Sequence, residues 1–78
     1  MTKAELLKAI GQTDRLIAKA SVENVSDGYD GFNEDFLNYL DNEDVLDIYY
    51  ENATASEDEL CELLGIMQNY INNRKLNI

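Results

Sequence analysis

Hydrophobic residues in the first quarter of the chain recur at the spacing of an amphipathic helix. The repeating positions fall on one side of a helical wheel: Leu6, Ala9, Ile10, Thr13, Leu16, Ile17 and Ala20. The cations of this stretch lie on the opposite side: Lys8, Arg15 and Lys19. Thr2 and Glu5 have the spacing of a capping box, in which two side chains satisfy each other's free backbone amides. The pattern predicts a helix over residues 3–20.

The C-terminal part of the chain carries the clearest amphipathic pattern. Its apolar stripe consists of Leu60, Leu63, Leu64, Met67 and Ile71. Its polar positions Glu62, Asn69 and Asn73 face away from that stripe. Ser56 and Glu59 form a second capping box, so we predict a helix over residues 57–73. Packing is expected between two sets of side chains: Leu60, Leu64, Met67 and Ile71 against Leu6, Ile10 and Ile17.

Two shorter helices are predicted between these long ones. Residues 21–33 are expected to form a loop, because Gly28 and Gly31 stand among Ser, Asp and Asn. Asn33 is then in position to cap a helix over residues 34–40. Asp41 and Asn42 provide another start signal, for a helix over residues 43–52.

The two central segments cannot form one straight helix. At about 100° per residue, the apolar stripe of residues 36–40 points away from that of residues 45–49, so we predict a break near Asp41. A β-strand over residues 45–50 is the alternative, because Val, Ile and Tyr favour strands. The acidic residues at positions 44, 47 and 51 follow a helical spacing, which favours the helix.

These patterns predict an all-α fold, a small single-domain bundle of three to four helices. The chain of 78 residues is too short for two domains, so residues 1–78 are expected to form one acidic helical domain. A hydrophobic content of 45% is too high for a disordered chain, even with a net charge of −10.

The charge distribution is the strongest indication of function. Fourteen of the 16 acidic residues lie between Ser21 and Asn73, a stretch without any Lys, Arg or His. Seven of these acids lie in the first turns of predicted helices, where their negative charge interacts favourably with the helix dipole. The other seven have no such explanation, and uncompensated charge costs folding stability. The stretch therefore predicts a basic partner.

Eight residues are the candidates for contact with that partner. Asp44, Asp47 and Glu51 form an outward ridge at positions i, i+3 and i+7 of a predicted helix. Tyrosine is favoured at interfaces, and Tyr50 points away from the apolar face that Tyr49 shares. The full set is Asp27, Tyr29, Asp30, Asp44, Asp47, Tyr50, Glu51 and Glu62.

Several classes of chemistry find no support in the sequence. Without histidine there is no Ser-His or Cys-His dyad, and one cysteine, Cys61, is too few for a zinc site. No acidic segment has the ligand spacing of an EF-hand loop. We therefore expect a protein that is not an enzyme and uses no cofactor or metal. A lone cysteine fits a reducing cytoplasm, and the acidic surface disfavours direct binding of nucleic acid or membrane.

The leading hypothesis is a small inhibitor that binds the basic surface of a nucleic-acid-binding protein as a DNA or RNA mimic. The hypothesis rests on an analogy of charge, length and lack of catalytic residues with phage anti-restriction and anti-CRISPR proteins that imitate DNA. One alternative is an immunity protein or antitoxin that neutralises a basic nuclease toxin, with Tyr49 and Tyr50 as an aromatic hot spot. Another is a helical adaptor or self-associating regulatory protein, and a homodimer is compatible with all three.

Overall fold

The computed structural model describes the backbone of residues 1–24 and 31–74, and the side-chain surroundings of residues 1–19 and 36–74. Within these ranges the chain forms four helices and no strand. They are α1 (Lys3–Asn24), α2 (Gly31–Leu40), α3 (Glu43–Tyr50) and α4 (Glu57–Arg74). The predicted all-α class is confirmed, and residues 45–50 belong to a helix rather than a strand.

Both predicted capping boxes are present. At the start of α1, the Thr2 amide donates to Glu5 Oε1 (3.0 Å) and the Glu5 amide to Thr2 Oγ1 (3.2 Å). At the start of α4, the Ser56 amide donates to Glu59 Oε1 (3.1 Å) and the Glu59 amide to Ser56 Oγ (3.2 Å). Each box satisfies amides that the first turn of a helix leaves without partners.

The predicted break between α2 and α3 falls at Asp41. This residue has a φ of 42°, in the left-handed region, where Asp and Asn are tolerated better than most residues. The next residue, Asn42, caps α3 by accepting the Asp44 amide on its Oδ1 (2.9 Å). Two residues therefore end one helix and start the next in a different direction.

The end of α1 and the start of α2 differ from the prediction. Helix α1 continues to Asn24 and α2 begins at Gly31, so Asn33 lies inside α2 and is not its cap. Residues 21–24 include no Gly or Pro, and an established helix adds such residues readily. At the other end, α3 stops at Tyr50 instead of residue 52, and the Glu51 amide donates to the Asp47 carbonyl (2.8 Å).

Helix α1 packs mainly along α4 and also along α2, while α3 packs on α4 and α2. The predicted contact surface is largely correct, because Leu60, Leu64 and Met67 of α4 are buried in the same core as Leu6, Ile10 and Ile17 of α1. Ile71 is only partly buried. Leu16 was expected inside but is 41% exposed. It lies about 100° around the helix from Ile17, at the edge of the stripe that α2 and α4 cover.

An aromatic cluster at the α2–α4 contact was not predicted. The Phe36 ring is fully buried and lies edge-on to Tyr70, with ring centroids 5.0 Å apart. Tyr39 also lies edge-on to Tyr70, with ring centroids 5.1 Å apart, and the Arg74 guanidinium lies 5.4 Å from the Tyr70 centroid. This cluster makes Tyr70 a core residue of α4.

Every helix in residues 1–24 and 31–74 is too short or too polar to cross a membrane.

Candidate functional site

Four of the acidic candidates line one open pocket between α3 and the start of α4. The pocket has a volume of about 450 Å³, and its lining consists of Asp44, Asp47, Ile48, Glu51, Thr54, Ala55, Glu59 and Glu62. Five of these eight residues carry carboxylates, and none carries a positive charge. We call this site the acidic pocket.

Helix α3 supplies the wall that holds the ridge. Asp44, Asp47 and Glu51 are exposed on successive turns, while Ile48 on the next face is buried and forms part of the pocket floor. The floor continues with Ala55, which is also buried. Like charges at such spacings destabilise a helix by roughly 0.2–0.5 kcal/mol per pair, so the ridge lowers the stability of α3.

Helix α4 supplies Glu59 and Glu62, which lie one turn apart. Glu59 accepts the Ser56 amide, and this hydrogen bond, with the Ser56 side chain, lowers the pKa of its carboxyl below the ordinary value. Glu59 is therefore ionised at neutral pH and adds its charge to the pocket. Sequence analysis assigned Glu59 only to the helix start. Its spacing of three residues from Glu62 was the signal that the two share a face.

A hydrogen bond to α1 fixes the orientation of α3. The Tyr49 hydroxyl donates to Asp14 Oδ1 at 2.8 Å, and the Tyr49 ring lies edge-on to Phe36 with centroids 5.5 Å apart. Burial, followed by the bond and the charge of Asp14, raises the pKa of Tyr49 well above its ordinary value. Tyr49 is thus a structural residue that holds α3 in place.

Tyr50 is the most exposed aromatic side chain of the described residues. Its exposed fraction is 68%, and its ring lies edge-on to Tyr49 with centroids 5.5 Å apart. It precedes Glu51 in the chain but does not line the acidic pocket. The structure therefore places an exposed aromatic ring one residue from the acidic wall.

Three candidates, Asp27, Tyr29 and Asp30, lie outside the described residues. The described part of α4 sets one limit of the acidic surface, because no acidic residue occurs between Glu62 and Arg74. The carboxylates of α4 are therefore confined to its N-terminal turns and do not extend along the whole helix.

The arrangement is suited to cationic side chains. Carboxylates form short, strong hydrogen bonds with Arg and Lys, and Arg is bound through two bonds at once. Among the residues that the structure describes, no group of three or more His, Cys, Asp or Glu side chains is arranged to hold a metal ion. Five separated carboxylates on an open surface instead provide several acceptors for a basic protein.

Comparisons with protein-family models, with curated proteins and with solved structures gave no match for this chain.

Proposed function

We propose that this protein is a non-enzymatic, cytoplasmic inhibitor that docks its acidic pocket onto the basic surface of a nucleic-acid-binding protein. The observation that carries the proposal is the convergence of five carboxylates from α3 and α4 on one pocket without a cation. Among the described residues that line this surface, none supplies a counter-charge. A partner that supplies Lys and Arg gains attraction and fast, steered association.

The charge density of the pocket supports nucleic-acid mimicry. Asp44 of α3 and Glu51, the C-cap residue of this helix, are seven residues apart, which at 1.5 Å per residue corresponds to about 10.5 Å. Duplex DNA carries roughly six negative charges over that length, at one per about 1.7 Å. Three carboxylates of the pocket lie along that length, and Glu59 and Glu62 of α4 raise the total to five. A cationic groove that binds phosphates can therefore find a comparable number of acceptors here, as in the anti-restriction and anti-CRISPR inhibitors that act as DNA mimics.

Tyr50 favours a second candidate, an immunity protein or antitoxin that neutralises a basic nuclease. Mimicry of a phosphate array needs no aromatic ring, whereas protein–protein hot spots are enriched in Tyr. Tyr50 is exposed beside the acidic wall, while Tyr49 is occupied by Asp14 and Phe36. In this mode Tyr50 anchors the contact, the pocket supplies charge complementarity, and the nuclease is bound beside its active site.

The test is capture of basic proteins from a lysate, followed by affinity measurements with the captured protein. The variant Asp47→Lys/Glu51→Lys changes the net charge from −10 to −6, because each substitution adds two positive units. The matched control Glu43→Lys/Asp58→Lys has the same net charge, and both of its positions are exposed and lie outside the pocket. We expect the pocket variant to lose binding at least tenfold more than the control does.

Equal losses in both variants would show that net charge alone drives capture and would contradict the proposal. DNA or RNA that competes with this protein for the partner supports mimicry. A partner that binds nucleic acid and this protein together, with Tyr50→Ala weakening the complex by about 30-fold or more, supports the immunity mode.

A further inference from the structure

Helix α1 carries a second depression, with charge opposite to that of the acidic pocket. It has a volume of about 310 Å³ and is lined by Leu7, Lys8, Gly11, Gln12 and Arg15. Two of these five residues are cations and none is acidic. We call this site the cationic groove.

The two sites are independent within one molecule. The cationic groove is built from α1 alone, and the acidic pocket from α3, α4 and the turn between them. Asp14, the acidic neighbour of Arg15 in the chain, accepts the Tyr49 hydroxyl on its Oδ1. Lys8 and Arg15 are both exposed. Each site therefore faces solvent with an excess of one sign.

The spacing of the charges matches between the two sites. Lys8 and Arg15 of α1 are seven residues apart, as are Asp44 of α3 and Glu51 at its C-cap, so at 1.5 Å per residue each pair is separated by about 10.5 Å. Between the cations lies Gly11, where an added Cβ would meet no atom within 4 Å, so the middle of the groove is open. Asp47 occupies the corresponding middle position of the ridge.

We propose that the cationic groove binds the acidic pocket of a second copy of this chain. In this contact α3 of one copy lies along α1 of the next, with Lys8 and Arg15 at the two ends of the ridge and Asp47 over Gly11. The contact joins different surfaces of the two molecules, so it builds either short head-to-tail chains or a reciprocal dimer. A contact that rests on exposed ion pairs is weak, and we expect a dissociation constant on the order of 0.1–1 mM.

Net charge gives the association an unusual salt dependence. Two molecules of charge −10 repel each other, and at about 10 mM salt the screening length of ~30 Å is comparable to the 37 × 23 × 20 Å dimensions of the molecule. At about 0.15 M that length falls to ~8 Å, so the repulsion between whole molecules is screened while ion pairs within about 4 Å keep their attraction. Self-association should therefore be strongest at intermediate salt and weaker at both extremes.

Self-association would also regulate the proposed function. The second copy covers the same carboxylates that a basic partner needs, so the partner must displace it. This consequence rests on the proposed function, whereas the self-association itself does not and is measured without any partner.

The experiment is sedimentation of the purified full-length chain over a concentration series up to about 1 mM, at low, intermediate and high salt. Lys8→Glu/Arg15→Glu changes the net charge from −10 to −14 and should remain monomeric. The control Lys3→Glu/Gln68→Glu/Asn69→Glu also has a net charge of −14, because the first substitution removes two units of positive charge and the other two remove one unit each. It leaves both sites intact. It should associate like the parent at intermediate salt, and circular dichroism verifies that each variant is folded.

Mixing provides the complementary result. Asp47→Lys/Glu51→Lys should not self-associate, yet an equimolar mixture with Lys8→Glu/Arg15→Glu should form a one-to-one complex, because the first variant keeps the cationic groove and the second keeps the acidic pocket. A parent protein that is monomeric at every salt concentration would overturn the proposal. So would association that persists in Lys8→Glu/Arg15→Glu, or that is lost equally in its control.

Discussion

Tyr49→Phe isolates the hydrogen bond that ties α3 to α1. The substitution removes only the hydroxyl that donates to Asp14 and keeps the ring that packs on Phe36. Hydrogen bonds to charged groups contribute about 1.5–3 kcal/mol. Because this bond is only partly buried, water can replace the lost donor, and we expect the free energy of unfolding to fall by roughly 1–1.5 kcal/mol.

The measurement is equilibrium unfolding in urea, supported by thermal melting. For a domain of this size, that loss corresponds to a melting temperature lower by about 5–10 °C. Tyr50→Phe is the matched control, since it removes a hydroxyl from the exposed neighbouring ring and should change stability by less than about 0.5 kcal/mol. A Tyr49→Phe variant as stable as the control would refute the structural role of the bond.

The same bond predicts a dependence on alkaline pH. Folding raises the pKa of Tyr49 above its unfolded value of about 10, chiefly through burial and then through Asp14. The folded state thus favours the protonated phenol, and the stabilisation is complete below pH ~10 and lost as pH rises above it. The stability advantage of the parent over Tyr49→Phe should shrink between about pH 10 and pH 11.5. An advantage that stays constant over this range would contradict the assignment.

Three other predictions concern the core, the cap and the acidic surface. Leu60→Ala should lower the free energy of unfolding by about 2–5 kcal/mol, because Leu60 is fully buried, whereas Cys61→Ala on the exposed side of α4 should have little effect in the same denaturant assay. Ser56→Ala should cost about 1 kcal/mol at pH 7, because it removes the hydroxyl that accepts the Glu59 amide at the start of α4. Because the Ser56 amide lowers the pKa of Glu59 in the folded state, the stabilisation from this bond should be lost as pH falls through that lowered value, so the difference in stability between the parent and Glu59→Ala should narrow in acid. The melting temperature should rise from low to moderate salt, since salt screens repulsion among the acids, and a flat or falling curve would exclude self-repulsion as a large term.

The elements predicted correctly are those controlled by neighbouring residues in the chain. The capping boxes at Thr2 and Ser56 depend on side chains three residues away, and the break at Asp41 followed from two apolar stripes with incompatible phases. The predicted loop limits of 21 and 33 were wrong because Asn and Gly also occupy helix ends, as at Asn24 and Gly31.

The features that were missed depend on contacts between helices. Tyr70 stands three residues after Met67 and seven after Leu63, a spacing that places it on the buried face of α4, but the sequence does not show that Phe36 and Tyr39 of α2 contact its ring. Leu16 is exposed because the covering helices lie toward Ile17. The ridge of α3 was visible in the sequence, but its approach to Glu59 and Glu62 depends on the path of the turn that joins α3 to α4.

The aromatic rings also give the protein a built-in optical reporter. From Tyr50 through Tyr49, Phe36 and Tyr70 to Tyr39, successive ring centroids are 5.0 to 5.5 Å apart. The chain contains no tryptophan, so its ultraviolet emission comes from tyrosine. Excitation energy transfers readily between tyrosine rings at such distances, and Tyr50, the exposed end of the series, directly precedes Glu51 of the acidic pocket. A tryptophan placed there by a docking protein would quench the tyrosine emission of the series, so binding could be followed without any attached label.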